Sequence, residues 1–151
     1  MQFKHKKKGV SLVELILSIA VLSVLSVYVI QMFITSQTLN RKAEELDYSV
    51  LISQSIFEIV EKDKSLDTLF NSPLFKFAQR NENGETLQTI LYFDKNWTPL
   101  STDEKKVFTL TFDAQKIQAL DYLVVEYKIS VQRDENLEVE QIYEIEMQKY
   151  Y

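Results

Sequence analysis

The sequence has no cysteine, one histidine, two glycines and two prolines among its 151 residues. Without cysteine there is no disulfide framework, no thiolate metal site and no thiol nucleophile. A single histidine, His5, rules out a His-rich metal site and makes a catalytic triad improbable. So little glycine excludes a Gly-rich phosphate loop, and so little proline excludes a Pro-rich linker. What remains is an ordinary folded composition, 46% hydrophobic and 26% charged, rather than a disordered one. The length suits one domain, or one domain plus an anchor.

Charge divides the chain into three. Lys4, Lys6, Lys7 and Lys8 give the first nine residues +4, and between Val10 and Asn40 the only charge is Glu14. From Arg41 onward there are 13 basic and 21 acidic residues, a net of −8. The parts sum to the formal net charge of −5. An acidic main domain argues against nucleic acid as its partner.

Leu15 to Ile34 is an apolar run broken only by Ser18, Ser23, Ser26 and Gln31. Twenty helical residues span roughly 30 Å, the thickness of a bilayer core. The lysines precede the run, so the positive-inside bias places the N-terminus in the cytoplasm and the acidic body outside. A cleaved secretory signal has a shorter apolar core, about 7–15 residues, followed by a small-residue cleavage site. No such site follows Ile34. A plain anchor leaves Glu14 unexplained. A carboxylate within an apolar membrane helix costs about 2.5–3.5 kcal/mol on insertion scales and marks function by default.

The segment Lys6-Lys7-Lys8-Gly9-Val10-Ser11-Leu12-Val13-Glu14-Leu15 resembles the class III signal of type IV pilins and type II secretion pseudopilins. That resemblance implies cleavage by a prepilin peptidase after Gly9 and methylation of the new N-terminus at Val10. Glu14 then stands where the family keeps a glutamate. Val10 replaces the usual phenylalanine, Ser11 the usual threonine, and the run lacks the proline found in many major pilins. The implied division is a leader at 1–9, a transmembrane and filament-core helix at 10–34, and an extracytoplasmic pilin-like domain at 35–151. The implied partners are other pilin subunits, the prepilin peptidase, the cytoplasmic membrane and a pilus assembly platform. After assembly the chain would sit in a cell-surface filament. No glycine or proline interrupts the run, and small residues are few in it, which points to a minor rather than a major subunit.

Cleavage at Gly9 removes all four lysines and leaves a cationic amine at Val10 in apolar surroundings. Glu14 is an anion in the same surroundings, and buried charges require pairing. The two lie one helical turn apart, so a pair within one helix is possible. The family implies pairing between neighbouring subunits, with Glu14 as an assembly residue that sets their register.

Beyond the run, Leu39, Ala43, Leu46, Val50, Ser53, Phe57 and Val60 recur at spacings of four and three, and Ile52, Ile56 and Ile59 widen the stripe. This predicts a continuous helix from about Val10 to about Lys62 with one face covered by the rest of the domain. The period then changes to two. Strands are expected around Phe75–Phe77, Leu87–Phe93, Phe108–Phe112, Leu123–Val131 and Leu137–Met147, with a hairpin signal at Asn83-Gly84 and a turn at Arg133-Asp134-Glu135-Asn136. The fold class is α+β: one long N-terminal helix packed on an antiparallel sheet of four or five strands.

Trp97 lies in the longest irregular stretch between strands, Lys95 to Lys106, and is the best single candidate for a partner contact. The competing expectation is a ring folded back to cap the core. Glu138, Glu140, Glu144 and Glu146 share one parity with Lys128 beside them, as on a solvated sheet face. Glutamates along a strand diverge, whereas a Ca²⁺ site needs converging oxygens, so no metal and no cofactor is expected. G-x-S-x-G and H-E-x-x-H are absent, and no spacing selects an acid/base pair. The expected function is therefore structural, a filament subunit and not an enzyme. The alternative is a bitopic membrane protein that displays a binding domain without polymerising.

Overall fold

A computed structural model describes residues 11–62, 66–118, 123–135 and 138–150. The chain divides into two compact units, Met1–Lys42 and Ala43–Tyr151. Helix α1 runs over Leu12–Lys62, 51 residues. Its span follows from a sequence with no glycine or proline between Leu12 and Lys62. The expected start at Val10 lies outside the described residues.

In the second unit, the end of α1 covers one face of a six-stranded antiparallel sheet. The strands are β1 (Gln79–Asn83), β2 (Thr86–Phe93), β3 (Pro99–Leu100), β4 (Phe108–Gln118), β5 (Leu123–Glu135) and β6 (Glu138–Tyr150). Their order is β1-β2-β4-β5-β6, with β3 also pairing β2. Alternation decides which side chains enter the core. Leu91 and Phe93 of β2, Phe108, Leu110 and Phe112 of β4, and Tyr127, Ile129 and Val131 of β5 are buried with Ile56 and Val60 of α1. Lys149 at the end of β6 closes the helix: its ammonium donates to the carbonyls of Val60 and Glu61 at 2.8 and 3.0 Å. Those carbonyls have no partner within the helix, and a cation there also suits the helix dipole.

Three expectations are corrected. The first strand does not include Phe75 and Phe77. Pro73–Phe75 forms a 3-10 turn, preceded by a short helix α2, Asp67–Phe70. Pro73, with its fixed φ, opens that turn, and Phe75 is buried by it. Strand β1 follows with every residue exposed, so it is recruited by its hairpin and not by an apolar face of its own. Gly84 at the hairpin has φ +61°, which only glycine adopts without strain, and Asn83 pairs with Thr86 across the turn.

Second, Arg133 and Asp134 do not form a turn. Strand β5 continues through both, with Arg133 opposite Glu140 and Asp134 opposite Val139. Asn136 and Leu137 lie outside the described residues.

Third, the covered line of α1 in the second unit is Glu45, Ser49, Ser53, Ile56 and Val60. From Val50 onward the expected stripe holds, with Ser53, Ile56 and Val60 buried and Val50, Ile52, Phe57 and Ile59 half-buried; only its start differs, where Glu45 and Ser49 are covered and Leu46 is 42% exposed. The small serines leave room for the sheet in a close-packed interior, and Glu45 has a cationic partner waiting there.

Candidate functional site

The N-terminal part of α1 is built to sit in an apolar medium. Every described residue from Leu12 to Lys42 is exposed in this unit, and α1 is long and apolar enough to cross a membrane. The serines of its apolar run are satisfied within the helix. Ser18, Ser23 and Ser26 each donate to the carbonyl four residues back at 2.8 Å. Lipid offers no hydrogen bonds, so this internal pairing makes serine tolerable there. Glu14 stands in the first turn of α1, where the positive end of the helix dipole favours a carboxylate. Its own carbonyl accepts the Ser18 bond. Gly9 and Val10 lie outside the described residues.

In the second unit, the sheet grips the helix at a mixed ionic and aromatic anchor. Arg133 Nη1 donates to both oxygens of Glu45, at 3.2 and 2.9 Å. Arg133 Nη2 donates to Glu140. Arg133 and Glu45 are both 8% exposed. Phe108 sits directly across from Arg133 on β4. The Trp97 ring stacks on Phe108 at 4.1 Å with 9° between planes, and on Tyr48 of α1 at 5.7 Å. Glu45 and Tyr48 lie about one turn apart on α1, so the ion pair and the ring stack hold neighbouring points of the helix.

Trp97 is thus folded back against the core. Among the described residues it is the one non-glycine with positive φ, at 61°, an uncommon conformation for a bulky side chain. Asp94 imposes it. The Asp94 carboxylate accepts the N–H groups of Asn96 and Thr98 at 2.8 and 2.9 Å, and Trp97 N–H donates to the Asp94 carbonyl at 3.0 Å. These bonds, the one from Thr98 foremost, hold the Asp94 carboxyl below its ordinary value.

Glu140 is the clearest departure from the expected glutamate row. The ladder pairs Val131 with Tyr143 but Gln132 with Gln141, so Ile142 is an extra residue in a β-bulge. A bulge shifts parity by one. It moves Glu140 to the helix-facing side with Arg133 and leaves Val139 62% exposed. Beyond the bulge the expectation holds: Lys128 reaches Glu144 at 2.9 Å and Glu146 at 3.0 Å. The Glu144 bond, then the Glu146 bond, raises the Lys128 pKa, and Lys128 lowers that of Glu144. Sequence reading missed the roles of Glu45 and Arg133. The signal was present, because Arg133 continues the parity of Leu123, Val125, Tyr127, Ile129 and Val131.

Residues 4–30 match the family model of the prokaryotic N-terminal methylation motif. The chain carries a class III prepilin signal. This prepilin signal spans Gly9, Val10 and Glu14 and runs into the apolar part of α1. A prepilin signal of this kind belongs to type IV pilin-like proteins, and a long N-terminal helix packed on an antiparallel sheet is the pilin-like arrangement that the resemblance implies. No curated protein and no solved structure matches the chain.

Proposed function

We propose that this chain is a structural subunit of a type IV pilus or a related pseudopilus, and specifically a minor pilin. The prepilin peptidase cuts after Gly9, and the new amine of Val10 is methylated. The mature chain waits in the cytoplasmic membrane with its N-terminus inside and its β-rich domain outside. It then enters a filament through the apolar part of α1, where Glu14 of one subunit pairs with the Val10 amine of another. The observation that carries this reading is the methylation motif at 4–30. It leads into a helix segment that is apolar and exposed throughout. Such a surface needs lipid before assembly and neighbouring helices after it.

Intact-mass measurement of the membrane-extracted protein tests the reading. Loss of residues 1–9 with the gain of one methyl group supports it. A full-length, unmethylated N-terminus overturns it in favour of a bitopic protein that displays its domain without polymerising.

A further inference from the structure

The sheet face turned away from α1 carries an ordered polar array. The register aligns Asn81, Gln88, Asp113, Lys128 and Glu146 in one row across five strands. The adjacent row runs Asn83, Thr86, Gln115, Glu126 and Gln148. Residues of both rows line a depression of about 450 Å³. That volume lies within the range of small-ligand sites.

Solvation alone does not call for these residue types. Asparagine is depleted in strands, where threonine and other β-formers serve better. Here neutral amides and a threonine fill most of the first three strand positions of both rows. An amide both donates and accepts, and so does a sugar hydroxyl. The charges narrow the ligand further. Lys128 is engaged by Glu144 and Glu146. Asp113 accepts from Gln88 at 3.0 Å and Glu126 from Gln148 at 3.0 Å, which holds two of the amides in fixed orientations. One cation among four carboxylates repels anionic ligands.

We infer that this face, over β1, β2, β4 and β5, binds a neutral oligosaccharide whose hydroxyls meet Asn81, Asn83, Gln88 and Gln115. The inference is independent of processing or polymerisation.

The test uses the full chain, ¹⁵N-labelled, in lipid nanodiscs free of sugar detergents. Maltotriose, cellotriose and chitotriose are titrated separately to about 20 mM, which reaches weak millimolar binding. Saturable shifts of the side-chain amides of Asn81, Asn83, Gln88 and Gln115 with at least one of them are expected. Gln88→Ala and Gln115→Ala, both at the surface, should each weaken that binding several-fold, up to about tenfold, for a lost neutral hydrogen bond. Sialyllactose, an anionic trisaccharide, should bind more weakly. No saturable shift with any of the three neutral sugars overturns the inference. So does binding that both variants leave unchanged, or binding of sialyllactose as tight as that of the neutral sugars.

Discussion

Arg133 of β5 joins Glu45, 88 residues earlier on α1, to Glu140, seven residues later on β6. One guanidinium thus ties the helix to two strands of the sheet. Glu45 depends on it most, because its side chain is 11% exposed against 49% for that of Glu140.

Arg133→Met should therefore destabilise the domain strongly. Losing one member of a largely buried ion pair costs about 3–5 kcal/mol. Glu140→Gln should cost about 1 kcal/mol or less, since half-exposed pairs are screened by water. Adding Glu45→Met to Arg133→Met should recover most of the loss. Urea melts of the full chain in micelles, followed by the fluorescence of Trp97, would rank the three. Equal destabilisation by Arg133→Met and Glu140→Gln would contradict this account of the anchor.

Ser53→Ala should stabilise the protein. The Ser53 hydroxyl is fully buried and has no hydrogen-bond partner. Alanine removes the orphan group and is the better helix former, a gain of about 1 kcal/mol. A lower urea midpoint for this variant would show that the hydroxyl is satisfied in solution.

Acid should loosen the Trp97 turn. The folded pKa of Asp94 is depressed below its ordinary value of 3.8 by the N–H groups it accepts. Its contribution to stability is fully present above that value. It is lost as pH falls through the folded pKa. Trp97 is the only tryptophan, so its emission reports the turn directly. The emission should stay constant from neutral pH down to about 4 and change only below that. Asp94→Ala should show the loosened emission already at neutral pH. Identical emission for the variant and the wild type at pH 7 would remove the Asp94 carboxylate from the explanation.

Glu14→Gln separates assembly from anchoring. In a plain anchor the change removes a charge from the membrane and is neutral or favourable. In a filament subunit it leaves the Val10 amine of a neighbour unpaired in apolar surroundings. That costs about 3–5 kcal/mol, or about two to three decades in an assembly constant. The variant should be cut after Gly9, remain in the membrane and be missing from sheared filaments. Entry into filaments at wild-type levels would refute the register role of Glu14.

Much of this protein is local and was therefore legible in the sequence. The helix to Lys62 is a matter of spacing and of absent breakers. The core faces of β2, β4 and β5 follow from a period of two. The prepilin signal is a contiguous string around Gly9 and Glu14 that needs no fold to be read. The tertiary structure decided what depends on pairing between distant segments. Strand β1 has no buried side chain and exists because a hairpin presents it to β2. The start of the covered face of α1 was set by where Arg133 and the sheet lie, so Glu45 and Ser49 are buried while the apolar Leu46 is not. The single extra residue at Ile142 reversed the parity of the first part of β6. Only the ladder with β5 reveals that bulge, because an unpaired residue looks like any other until its neighbour strand is in place.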